Sequence, residues 1–365
     1  RSGIGGNIGR NTAPYLIASY YDSSLVDGMA GSVNTPPNKD IRWEKTTTVN
    51  VGVDFALFRH RLSGTIEYYN KYSVDLLAAI NGSPTQGFGY TTLMTNNGKM
   101  VNRGVEITLS GEIIRQKDFS WNASLLYAFN RNKVKHISVQ PSLWDSRISM
   151  PTSYPMVGKP LYGIYAYKWA GLNENGDPQV YDAENNVTSG PARDYHALVY
   201  CGTTVPIHNA SLTNVLRYKG FEFSAMLILD AGHKLRSSNI PSINMSNGRI
   251  TSTAKGIVDR WTQPGDVTDV PRLLFSNDTE NFNTHRTELY RYSDLFVYDA
   301  SNIRLSNISL AYRVPAHWCK KISLSGARLQ FNVENVATFA FDSKANYDLG
   351  GKVKPNYVWG LYLNF

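Results

Sequence analysis

The residues able to do chemistry in this 365-residue sequence are present but nowhere assembled. Its seven histidines are scattered, and no HExxH pair sets two of them on one helix face to hold zinc beside a general base. No Gly-x-Ser-x-Gly turn is there to raise a serine nucleophile above a sheet. Gly3, Gly5 and Gly9 miss the dinucleotide spacing, in which three glycines admit a pyrophosphate to a helix N-terminus, and read as a loop. Asn173-Glu174-Asn175-Gly176-Asp177 has the outline of a calcium loop without its run of acidic ligands or its closing glutamate, and reads as a plain turn. The expectation is a protein that is not an enzyme, with no catalytic residue, metal or cofactor.

What remains are recognition groups. Trp144, Tyr154, Tyr165, Trp261, Tyr290 and Tyr292 lie in long connectors. Their flat faces suit stacking on a sugar or packing on a peptide, and equally the packing of loops or of a lid, which is the favoured reading. Asp54, Glu67, Glu106 and Glu222 alternate with apolar residues inside strand patterns. The 37 basic residues give a net charge of +8 without any Lys/Arg block, so no nucleic-acid partner is expected.

The elements that position these groups are strands. In the closing segment, Tyr357, Trp359, Leu361, Leu363 and Phe365 share one face and Val358, Gly360, Tyr362 and Asn364 the other. A period of two with one broad aromatic face sets one side against something oily and the other against something smaller or wetter. Trp43, Trp121 and Trp359 suit a water–lipid boundary. The same alternation fills four hairpins. They pair Thr46–Phe58 with Arg61–Lys71, Val101–Ile114 with Phe119–Asn130, His208–Tyr218 with Phe221–Asp230, and Asn302–Arg313 with Ser323–Asn335. Leu125 and Tyr127 belong to the apolar face of the second hairpin. In Asn302–Arg313 the apolar residues change parity between Leu305 and Ile308, which a β-bulge would reconcile.

The connectors alternate between a few residues and long stretches: Tyr72–Met100, Arg131–Ile207, Ala231–Ser301 and Val336–Asn356. Short turns at one end and long loops at the other are the layout of bacterial outer-membrane barrels, whereas a soluble sandwich seldom carries several structureless loops of this size. A mean hydropathy of −0.31 fits a barrel whose lumen face is polar. No helical span is expected, since one needs roughly 20 mostly apolar residues and the longest such run is Ala225–Leu229. Long loops then face outside and the chain ends at the periplasmic rim. About nine strands are too few and too odd to close a barrel. An N-terminal part is therefore expected to be missing, and Thr46–Phe58 to pair with strands outside this sequence. The opening residues read as a strand end running into a Gly-rich loop. Cys201 falls in an outer loop and Cys319 in an inner turn, so both are expected as free thiols.

Several segments are similar to SusC-like TonB-dependent outer-membrane transporters of Bacteroidetes. Asn38–Thr47 (NKDIRWEKTT) resembles the family's entry to a strand, and Arg61–Lys71 (RLSGTIEYYNK) a strand that follows. Asn102-Arg103-Gly104-Val105-Glu106 matches its NRGVE segment. Lys117–Trp121 and Tyr218–Ser224 match its strand restarts, Tyr162–Leu172 its YGYxxxGL stretch, and Asp299–Leu305 its DASYLRLRN with Asn302 in place of Tyr. The resemblance spans nearly all 365 residues. It implies that residues 1–365 are a C-terminal part of an all-β transmembrane antiparallel barrel of about 22 strands, with plug and early strands absent. It implies further a multi-pass protein of the Gram-negative outer membrane, importing a large nutrient, glycan or peptide, with energy from TonB reached through the missing part. A SusD-like surface lipoprotein would be its lid. Asp54, Glu67, Glu106 and Glu222 would face the lumen and the plug, and Leu125, Tyr127, Trp359, Leu361 and Phe365 the lipid bilayer. The alternatives are a soluble secreted β-rich module that grips polysaccharide, separable by its independence of detergent, and an outer-membrane protease or phospholipase, for which no active-site motif is found.

Overall fold

A computed structural model describes residues 2–7, 17–22, 28–35, 38–81, 92–139, 146–190, 194–245, 254–275, 284–350 and 354–365. Alternating side chains with little helix-forming context fold into one antiparallel sheet of ten strands. These are β1 (Ser2–Asn7), β2 (Glu44–Leu57), β3 (Leu62–Asn81), β4 (Thr92–Arg115), β5 (Phe119–His136), β6 (His208–Tyr218), β7 (Phe221–Ala231), β8 (Asn302–Arg313), β9 (Gly326–Ala340) and β10 (Asn356–Asn364). Each pairs with the next in this order, an up-and-down meander. No described helix is long and apolar enough to cross a membrane.

The register sorts the two faces. One row runs Phe55–Gly64–Leu109–Leu125–Leu212–Leu227 from β2 to β7. The row on the opposite face runs Gly52–Glu67–Glu106–Ala128–Asn209–Asp230. Near the short turns the apolar face carries Phe119, Tyr218, Phe221, Tyr312, Leu329 and Leu361 side by side. The Phe221 and Tyr312 rings lie 4.5 Å apart there. Near the long loops it carries Tyr68, Val105, Phe129 and His208, with the Tyr127 hydroxyl 2.8 Å from His208 Nδ1. From His208 to Tyr218 is about 33 Å of strand, or about 25 Å of height at a tilt of about 40°, the thickness of a barrel's apolar band. Among the described residues of this face, Val53 is 61%, Trp359 79% and Phe365 92% exposed. Phe365 lies at the short-turn end, where Ser325 Oγ donates to its carbonyl at 3.3 Å.

The ten strands agree with the expectation of about nine, and two expectations need correcting. β2 finds a partner inside this sequence: β1 pairs with Glu44–Val49. β1 (SGIGGN) holds too few side chains to show a period. Along Asn50–Leu57 that edge of β2 has no partner among the described residues. Tyr72–Met100 is mostly strand: β3 and β4 stay paired out to Asn81 and Thr92. The alternation is broken because the register shifts between Ser73 and Leu77, where Asp75 takes φ 56°. Described parts of Arg131–Ile207 and Ala231–Ser301 are folded as well. The bulge in β8 is present, with Ser306 skipped between Leu305 and Asn307 against both neighbours.

Candidate functional site

On the face opposite the apolar row, carboxylates are held by cross-strand partners. Thr65 Oγ1 donates to Asp54 at 2.7 Å. Asp230 accepts from Asn209 at 2.6 Å and Arg304 at 2.9 Å. Glu222 accepts from Arg217 at 2.7 Å and Arg328 at 3.1 Å. Glu67 and Glu106 sit directly opposite each other and make no ion pair among the described residues. Beside them the Tyr69 ring covers Gly104, and a Cβ there would collide with the Tyr69 ring and hydroxyl. That explains the glycine of the NRGVE segment.

Above the sheet the connectors build one extracellular assembly. Gly163–Tyr167 pairs with Leu198–Thr203, and Pro178–Tyr181 lies between Trp169–Leu172 and Val187–Thr188. Helix α1 (Thr284–Arg291) comes from the connector between β7 and β8. Tyr165, Tyr167, Val180, Leu198 and Leu289 form one buried cluster, and Ile243, Tyr290 and Phe296 a second. The two connectors are tied by arginines. Arg236 donates to the carbonyl of Tyr165 at 2.7 Å and to that of Ser293 at 3.1 Å. Arg272 grips Asp177 with two bonds, at 3.1 and 2.8 Å. Arg286 joins the same carboxylate at 3.0 Å and also donates to the carbonyls of Ile243 and Arg272 and to Asn244. Burial pushes the Arg286 guanidinium below its ordinary range, and Asp177 opposes that shift.

The six connector aromatics are placed unequally. Tyr165 and Tyr290 are each 1% exposed, inside the two clusters, and Tyr154 is also buried. No ligand reaches these three rings without opening the loops. Trp261 is half-buried against Gly176, which has φ 75° and no room for a Cβ beside the indole. Tyr292 lies under Arg236, whose guanidinium carbon is 5.4 Å from the ring centre. Trp144 lies outside the described residues. The turn at Asn173–Asp177 presents its carboxylate to two arginines, and no group of metal-ligating side chains occurs among the described residues. Sequence reasoning missed Arg236, Arg272 and Arg286, because their partners lie far along the chain; the NENGD turn alone gave a signal.

Cys201 and Cys319 are free. Cys201 is on the extracellular strand and Cys319 on the short helix Ala316–Lys320 at the opposite end. Burial, and then the Asp294 carboxylate, push the Cys201 thiol up to about 11. At pH 8 that lowers its thiolate fraction about 100-fold against an ordinary thiol. The greater nucleophilicity of a basic thiolate recovers about tenfold. Alkylation of Cys201 in the folded protein should therefore be about tenfold slow at pH 8 and climb about tenfold per pH unit to pH 10. Rates like those of a free thiol, or a Cys201–Cys319 crosslink in non-reducing mass spectrometry, would overturn this placement.

Among proteins compared, TonB-dependent receptor P3 of Formosa agariphila is 25% identical over 346 residues, 89% of this chain and 33% of that protein. TonB-dependent receptor SusC of Bacteroides thetaiotaomicron is 25% identical over 312 residues, 82% of this chain and 29% of its own length. The chain thus spans about a third of the length of the curated relatives it matches. The structure of the RagAB peptide transporter superposes with a TM-score of 0.77 at 23% identity, covering 100% of this chain and 40% of that one. The model of the TonB-dependent receptor-like β-barrel matches residues 5–336. With its ten-strand meander, one apolar face and one polar face, this chain belongs to that family of outer-membrane β-barrels.

Proposed function

We propose that this chain is a wall of a TonB-dependent importer for a large nutrient, glycan or peptide, working with a SusD-like surface lipoprotein. The observation that supports it best is the two-faced sheet: an exposed apolar band on one side, polar groups on the other, and a folded extracellular assembly above. The family is one of TonB-dependent receptors, not of enzymes. The exposed band also speaks against the soluble polysaccharide-binding module, which would have to bury it. On this reading Asp54, Glu67, Glu106 and Glu222 line the passage, with Glu67 and Glu106 facing basic groups of a plug. Of the six connector aromatics, Trp261 and Tyr292 are the better candidates for substrate contact, since Tyr154, Tyr165 and Tyr290 are buried.

The test is uptake in cells carrying the full-length gene. Oligosaccharides and peptides too large for passive diffusion are offered with TonB present and deleted. TonB-dependent uptake is expected, altered in an E67Q/E106Q variant that still forms heat-modifiable barrel. Uptake indifferent to TonB, or a protein that stays monodisperse without detergent, would sink the reading.

A further inference from the structure

The outward face changes character just above its aromatic row. Phe129 is followed on the same face of β5 by Arg131 and Lys133, both exposed. At about 2.5 Å of height per residue they stand about 5 and 10 Å above the Phe129 ring. Arg131 lies directly opposite Arg103 of β4, and no bulge intervenes between this pair and Val105–Phe129. Like charges directly opposite on one face are destabilising. No acid relieves them: among the described residues, neither arginine, nor Lys133, nor Lys159 makes an ion pair. Arg103 Nε is steadied by Asn70 Oδ1 at 3.0 Å. Lys159, from the connector, lines the same cleft of about 420 Å³ as Arg131, Lys133 and His208. Its ammonium lies 4.7 Å over the Tyr200 ring. The short-turn end differs, since Arg217 and Arg328 there are neutralised by Glu222 on the lumen side.

We propose that Arg103, Arg131, Lys133 and Lys159 seat the phosphate groups of a phosphorylated lipid of the outer leaflet. Its acyl chains would lie on the row of Tyr68, Val105 and Phe129 below. Four cations at headgroup height, without acidic partners and continuous with a lipid-facing band, match a ligand with phosphates at one end and hydrocarbon at the other. Arginine forks suit phosphate oxygens through paired N–H donors.

The test uses the full-length protein purified from outer membranes in mild detergent and stripped of lipid. Bisphosphorylated lipid A, the same lipid dephosphorylated, and inorganic phosphate are added separately and bound mass is read by native mass spectrometry. Retention of bisphosphorylated lipid A is expected, falling at least tenfold in R103Q/R131Q and severalfold in K133Q, but unchanged in K219Q at the other end. K133Q lies above the apolar band and guards against a folding defect in the double variant. Equal binding of the dephosphorylated lipid, equal occupancy by inorganic phosphate, or wild-type retention in both cleft variants would overturn the proposal.

Discussion

Replacing Arg286 by methionine should loosen the extracellular assembly while the barrel wall stays assembled. The Arg286 side chain is 4% exposed and spends its guanidinium on Asp177, Asn244 and two carbonyls from three separate segments. Removing one partner of a buried ion pair costs about 3–5 kcal/mol, because the other charge is left unneutralised. Here the low end applies, since Asp177 is 21% exposed and keeps Arg272. About 3 kcal/mol is a factor of about 150 in the population of the opened loops, which sets their cleavage rate when reclosing is fast. Limited proteolysis of the full-length protein should therefore cut within Arg131–Ile207 or Ala231–Ser301 about a hundredfold faster, with heat-modifiability unchanged. R286K keeps the charge without the fork and should fall between the two. A wild-type cleavage pattern in R286M would mean that the aromatic clusters alone hold the loops.

That clamp marks where sequence reading stops. The wall was legible because its physics is local: one apolar and one polar face force a period of two, and four hairpins and the closing strand followed from it. The bulge at Ser306 was visible as a parity change between Leu305 and Ile308. The far ends of β3 and β4 were not, since the irregular pairing around Asp75 erases the period that would reveal them. β1 was read only as a strand end, and its place beside β2 rests on backbone pairing that Gly3, Gly5 and Gly6 leave no side-chain trace of. The long connectors looked structureless because their order is non-local: Asp177 meets Arg272 and Arg286 from 95 and 109 residues away. For the same reason an aromatic inside the clusters, such as Tyr165, was indistinguishable from one poised to meet substrate.

Leu125→Arg should cost membrane assembly about 2–4 kcal/mol, and Ser124→Arg much less. Leu125 shares its row with Leu109 and Leu212 and lies between the aromatic rows at Phe119 and Phe129, close to mid-band. An arginine there must enter hydrocarbon, where barrels suffer their largest penalty, of the stated size near the midplane. Ser124 is one residue away and points to the other face, where its hydroxyl lies 3.4 Å from that of Ser110. Ser110 and Thr213 flank it in register, so an arginine there meets polar groups and water. The pair holds strand, height and substituted residue type nearly constant and changes only the facing. The measurement is the stability of full-length barrels refolded into lipid vesicles, read by heat-modifiability across urea. A larger penalty at Leu125 by at least about 1 kcal/mol is expected from the depth dependence of such costs. Equal penalties, or a larger one at Ser124, would mean that the apolar face looks inward. The lipid band, the polar passage and the phosphate seat above Phe129 would then fall together, since all three rest on the facing of β5.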